Sequence, residues 1–318
     1  MAIDMTTVTA ITHNNKDVIK IEDSNGNVLW QKSSGPTRDM LYYVNGSTVY
    51  KLDMQNKVGT QYSIAAGSTT TGNGGQVIGT NSKLYKFVSG NFYPITIDDA
   101  NNTIGFGSSE CNVNDSNYNG NSAYCYPATI NSKLYVTKSN NTTVKYVQCP
   151  VPPSGWTVTD LTDTIKGNCT FIYKGTMYGA VQNPAALLSK WDSNSGWVSQ
   201  NVFTNLPSNC YAYHVWTLGD RVFCDNGSSH YEYNFTNNTW DTHTWTGLSN
   251  FNGARVFTDG VDIYEVGGTG SSTSIHILDP STDTWTLYWT FSASIRGDYI
   301  FNSKGSAQLA QTARPRLA

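Results

Sequence analysis

Histidine is scarce in this chain: only His13, His214, His230, His243 and His276 occur. No two of them stand at the HxH or HExxH spacings that would let neighbouring imidazoles share a metal. His276 alternates with Ile275 and Ile277, which makes it a strand residue, either exposed or hydrogen-bonded. Nucleophile motifs of the GxSxG type are missing. The glycine-rich "TGNGGQ" from Thr71 lacks the Lys-Ser/Thr of a phosphate loop, and "DSNGN" at Asp23 lacks the distal Glu of a calcium loop. The first reads as a connection and the second as a hairpin turn. Six cysteines, at 111, 125, 149, 169, 210 and 224, contain no CxxC and follow no metal or redox spacing, so they read as buried thiols in strands. The expectation is a protein without catalytic residues, metal or cofactor.

Recognition chemistry is better supplied. The chain holds 20 Tyr, 9 Trp and 11 Phe amid abundant Asn, Thr, Ser and Gly. Aromatic faces flanked by amides suit sugar rings, whose apolar faces stack while their hydroxyls hydrogen-bond. Tyr118, in the polar insertion "SSECNVNDSNYNGNS", and Tyr211, His230 and Phe251, placed near turns, are therefore the candidate binding residues. Asn-x-Ser/Thr triplets such as Asn45-Gly46-Ser47 and Asn168-Cys169-Thr170 arise by chance in so Asn-rich a chain and are not read as glycan sites.

The elements that must position these residues are strands. Aromatic and β-branched residues pack on pleated surfaces, Asn and Gly accept turn dihedrals, and long Ala/Leu/Glu/Lys runs of helical period are missing. "NPAALLSKW" from Asn183 is too short to anchor a helical domain. With Lys+Arg 20 against Asp+Glu 23, no basic field exists to hold nucleic acid. No run approaches the roughly twenty apolar residues of a membrane helix. The opening "MAIDMTTVTAITHNNKD" has neither a basic nor an apolar secretory region.

One phrase recurs along the chain. "MLYYVNG", "KLYKFVSG", "KLYVTKS", "TMYGAVQ", "DRVFCDNG" and "DIYEVGG" place an aromatic at Tyr42, Tyr85, Tyr135, Tyr178, Phe223 and Tyr264, with gaps of 43, 50, 43, 45 and 41 residues. Trp156, Trp197, Trp240 and Trp285 follow at a matching period and read as packing residues rather than a ligand platform. An apolar run precedes each phrase except the first, and two more follow, so four strands per unit and six units are expected. The first unit's missing strand reappears as "GDYIFNSKG" at 297–305, which would close a ring and remove an exposed sheet edge. The order of strand, turn, LY-x-V-G-G and a strand ending in D-x-x-T-x-x-W, clearest from Asp259 to Trp289, resembles the kelch-type β-propeller. Only Gly267-Gly268 keeps that family's diglycine. Kelch-type rings include copper radical oxidases with Tyr and His ligands and a Tyr–Cys cross-link; no residue here matches that pattern at a definable position.

The expected layout is an all-β chain: residues 1–36 as an N-terminal attachment hairpin module and linker, 37–305 as a six-bladed kelch-like β-propeller closed by a C-terminal strand, and 306–318 as a tail. In "VTAITHNNKDVIKIEDSNGNVLWQK", Asn14-Asn15 and Asn25-Gly26 are the turn candidates, and "SSGPTRD" is the linker. Such a module buries too little to stand alone, so its apolar face, with Ile19, Ile21, Leu29 and Trp30, is expected to pack on the propeller's flank or to attach it to another protein. The element resembles attachment segments of tailed-bacteriophage virion proteins. That resemblance implies a virion component made in the host cytoplasm: a tail-fibre or head appendage, homo-oligomeric in its assembly, docked to other virion proteins and presenting loops to a host glycan or protein. The competing expectations are an intracellular kelch-type adaptor and a sugar oxidase or isomerase.

Overall fold

A computed structural model describes residues 12–13, 16–17, 20–22, 28–31, 38–45, 48–68, 76–79, 83–88, 91–112, 125–130, 133–140, 143–150, 159–162, 169–180, 188–192, 196–199, 203, 207, 215–226, 229–248, 255–267, 273–293 and 299–306. The chain divides into two compact units, Met1–Thr37 and Arg38–Ala318. In the first, β1 (Thr12–His13) pairs antiparallel with β2 (Lys16–Asp17), and β3 (Lys20–Glu22) with β4 (Val28–Gln31). The turn candidates Asn14-Asn15 and Asn25-Gly26 lie outside the described residues. Ile21 lies opposite Trp30, and a register shift follows at Ile21/Glu22.

The described part of the second unit consists of strands. It opens with β5 (Leu41–Asn45), β6 (Thr48–Asp53), β7 (Val58–Ile64), β8 (Gln76–Gly79), β9 (Leu84–Val88), β10 (Asn91–Asp98), β11 (Thr103–Phe106) and β12 (Cys111–Asn112). Four antiparallel four-stranded sheets follow in chain order. The first holds β13 (Cys125–Ile130), β14 (Lys133–Asn140), β15 (Thr143–Pro150) and β16 (Thr159–Thr162). The next holds β17 (Cys169–Tyr173), β18 (Thr176–Ala180), β19 (Leu188–Asp192) and β20 (Gly196–Ser199). After them come β21 (Val215–Leu218), β22 (Arg221–Asn226), β23 (Ser229–Asn234) and β24 (Thr239–Thr242). The last is β25 (Arg255–Thr258), β26 (Ile263–Val266), β27 (Ser274–Asp279) and β28 (Thr284–Thr290), and the strands end with β29 (Tyr299–Asn302) and β30 (Gly305–Ser306).

β29 returns to the beginning. It pairs antiparallel with β5, Phe301 opposite Tyr42 and Tyr299 opposite Val44, so the late strand covers an edge that β5 would otherwise expose. The sequence does not foretell that this sheet runs on into the next repeat. Its order is β30-β29-β5-β6-β7-β11-β10-β9-β8, with β12 on β10. The join is a parallel pairing of β7 with β11, Ser63 beside Thr103 and Ile64 beside Ile104. The chain leaving β7 donates Ser63 N–H to the Asn102 carbonyl (2.9 Å) and Ala65 N–H to that of Ile104 (2.8 Å). An equivalent stitch follows β24, where Thr246 N–H donates to the Asp283 carbonyl (3.0 Å) and the Thr246 carbonyl accepts from Trp285 N–H (2.8 Å).

β30 also touches β8, so the composite sheet nearly closes on itself. That approach needs glycine on both sides. A Cβ on Gly79 would lie 1.6 Å from the Lys304 carbonyl oxygen, and Gly305, at φ 138°, faces the Gly79 amide.

One turn recurs between third and fourth strands. Asp53, Asp98, Asn234 and Asp279 each accept backbone N–H groups two or three residues on, and each is followed at the fourth position by a non-glycine residue at positive φ: Lys57, Asn102, Asn238 and Asp283. The side-chain acceptor substitutes for a missing backbone partner, and the left-handed residue turns the chain back into the ladder. Four copies of one turn are direct evidence of a structural repeat.

In the composite sheet and the last two four-stranded sheets, inward-facing strand residues feed cores between sheets. Tyr42, Val44, Val49, Val77, Ile104 and Phe301 fill the composite sheet's interior. Its opposite side, with Leu41, Tyr43, Leu52 and Ile300, packs with Phe257, Tyr264, Val266 and Ile275. A third core joins Trp216, Phe223 and Trp245 to Val256, Leu278 and Trp285. Removing one such aromatic to Ala costs about 3–5 kcal/mol.

Candidate functional site

Of the four binding residues expected from sequence, His230 alone is described; Tyr118, Tyr211 and Phe251 lie outside the described residues. Ile19 of the attachment set also lies outside, while Ile21 belongs to β3 and Leu29 and Trp30 to β4.

His230 is the second residue of β23, directly after the turn from β22, and Asp225 lies opposite it. Asp225 Oδ1 is 3.0 Å from His230 Nδ1, which fixes the ring's orientation. The same carboxylate accepts from Trp245 Nε1 (2.9 Å) and from Trp216 Nε1. The two indoles stack at 5.6 Å and 21°. Three donors nearly saturate a carboxylate, which is how one only 4% exposed can be tolerated in an apolar core. His230 keeps only about a tenth of its side chain at the surface, so it presents an edge of its ring there.

The neighbouring sheet carries a matching pair. Glu265, fully buried, lies opposite His276, with Oε2 3.1 Å from Nδ1. His276 is thus buried and hydrogen-bonded, one of the two situations its alternation with isoleucines allows. Val256, opposite Glu265, and Leu278, two residues beyond His276, share a core with Trp216 and Phe223. By strand alternation, both acid–imidazole pairs lie on the faces that meet at this core.

A third polar group spans the same two sheets. Arg221 binds Glu232 through Nε and Nη2 (2.7 and 2.9 Å) and Asp283 through Nη1 and Nη2 (2.7 and 2.9 Å). This double fork ties β22 and β23 to the turn before β28. Arg221 holds Asp283 below the usual carboxylate range against partial desolvation. His243 sits against Trp245 (4.3 Å), its Nδ1 3.3 Å from Glu232 and its Nε2 3.6 Å from Asp283. Burial pushes this imidazole below its ordinary value although both carboxylates oppose the shift.

On the composite sheet, Asp99 accepts from the phenols of Tyr42 and Tyr62 and from Lys51 Nζ. Burial, then the charge of Asp99, pushes the Tyr42 phenol up to about 12. Of the aromatic rings, Phe235 is the described one left most open, in the turn after β23, where it stacks on Tyr173 at 5.5 Å.

These clusters hold sheets together; their acceptors are filled by the protein's own donors. Cys224 is buried and one residue out of phase with Asp225, which puts it on the other side of β22 from the imidazole. Among the described residues, no group of three or more His, Cys, Asp and Glu is arranged to hold a metal ion. Sequence reasoning selected His230 and passed over Asp225, Trp216, Glu265 and Arg221. The available signal was the hairpin spacing "DNGSSH", which sets Asp225 and His230 opposite each other once the turn is recognised.

No protein-family model matches the chain, and no curated protein matches it.

Proposed function

We propose that the chain is a non-enzymatic adhesion module: a six-bladed, kelch-like β-propeller borne on a multi-copy particle, the tail or head appendage of a bacteriophage, by its N-terminal unit. The observation that carries this reading is the division of the chain into a body with a nearly closed sheet and a separate small unit whose described strands are two to four residues long. Two-stranded hairpins are marginal alone in water, so that unit needs a partner surface.

The strand order supports a count of six blades. The composite sheet splits into β29-β5-β6-β7 and β8-β9-β10-β11, each with the strand order of the four separate sheets. First strands touch in three neighbouring pairs, β29 with β8, β8 with β13 and β17 with β21, which supports a ring of inner strands. The buried acids and imidazoles described above are engaged within the protein, which favours a rigid scaffold whose ligand contacts come from connecting loops. A host-surface glycan or protein would be held by repeated weak contacts from several copies.

Tagged full-length protein and a 38–318 chain, each supplied during particle assembly, test the attachment role. Only the full-length protein is expected to co-purify with particles, while both remain folded. Normal incorporation of the shortened chain rejects the reading.

A further inference from the structure

The first two residues after the N-terminal unit hold both sides of the seam where the chain's beginning meets its end. Arg38 Nη1 lies 2.8 Å from Asp259 Oδ2, 2.7 Å from Asp262 Oδ2 and 3.1 Å from the Tyr264 hydroxyl. Asp259 is fully buried in the turn between β25 and β26. Its other contacts are the amides of Val261 and Asp262 and the Tyr264 hydroxyl, at 2.9–3.0 Å. Arg38 therefore supplies the cation for a carboxylate that has lost its water. Burying that charge without a partner would be expensive.

Asp39 grips the other side. Its carboxylate accepts from Lys304 Nζ (2.8 and 2.9 Å) and Asn302 Nδ2 (3.1 Å), the residues that turn β29 into β30. Its own amide donates to the Asp259 carbonyl at 2.7 Å. Gly260 makes room for this: at φ 88°, a Cβ there would stand 3.2 Å from Asp39 Oδ2. Two adjacent residues thus cross-link the β25–β26 turn to the β29–β30 hairpin, immediately before β5 pairs with β29.

We propose that Arg38 and Asp39 form a latch that keeps the seam between the last sheet and β29–β5 shut. Release opens the seam and leaves the remaining sheets closed. This holds whether or not the body is an adhesin, because it rests on the closure by β29 alone.

Hydrogen exchange on the full-length protein tests it. In Arg38→Ala, amides of β5 and β29 are expected to exchange at least about tenfold faster than in the parent. Those of β22 and β23 keep their rates, because local openings and global unfolding are separate events. Unchanged rates at the seam, or equal acceleration in every sheet, overturn the proposal. Should Arg38→Ala fail to fold, Lys304→Ala decides, because that side chain is 74% exposed and Asp39 keeps the Asn302 amide after its loss. A threefold or greater acceleration confined to β5, β29 and β30 is then expected; an unchanged pattern rejects the latch.

Discussion

His243 shows how a single side chain records the packing of two sheets. It lies against Phe223 and Trp245, between Glu232 and Asp283, with Arg221 bridging the same two carboxylates. Burial dominates and lowers its proton affinity, even though two acids pull the other way. An unfolded imidazole takes up its proton near pH 6.5, by the reference value. The folded one does so only at lower pH, so the unfolded chain binds more protons in this window. The folded state then loses stability as pH falls from about 6.5 towards the depressed folded value. Urea midpoints at pH 7.5 and 5.5 should differ for the parent protein. The difference should shrink in His243→Phe, which keeps an aromatic ring against Trp245. An identical pH dependence in the two proteins would show that another group sets it.

At the scale of elements, the repeating aromatic phrase was legible because it recurs six times at gaps of 41 to 50 residues, and it landed on second strands: Tyr42 in β5, Tyr85 in β9, Tyr264 in β26. The borrowed strand was legible too, since "GDYIFNSKG" has the shape of the strand the first unit lacks. The fusion of β7 with β11 was not. It depends on two parallel residue pairs set by the path of a connection, and such pairs leave no pattern in hydrophobicity. The polar interface was hidden for a related reason. Asp225 stands two residues after its phrase aromatic and Glu265 one residue after, so they lie on opposite faces of equivalent strands. They come to a common core only because one sheet follows the other. The glycine pair at the β8–β30 closure also escaped notice, although it is open to direct test. Gly79→Ala drives a Cβ into the Lys304 carbonyl, a backbone atom that no rotamer change can move away. The cost should be about 1–3 kcal/mol, the range for overpacked sites. Urea unfolding would measure it, and a variant as stable as its parent would mean that β8 and β30 separate freely.

For the whole molecule, the point at which the chain is cut decides what survives. A boundary drawn from composition alone falls near the Gly-Pro of "SSGPTRD", yet within this phrase Arg38 and Asp39 already belong to the larger unit. A chain starting at Arg38 keeps the cation of Asp259 and the anion of Lys304. One starting at Met40 loses both and leaves a fully buried carboxylate with only amides and a phenol. Removing one partner of a buried ion pair costs about 3–5 kcal/mol. For a body this large, each kcal/mol lowers the thermal midpoint by about 2–4 °C. The longer chain should therefore melt with the full-length protein's main transition, and the shorter one roughly 6 °C or more below it. Coincident melting of the two would mean that the seam is held by the β5–β29 ladder alone, with Arg38 and Asp39 merely resting upon it.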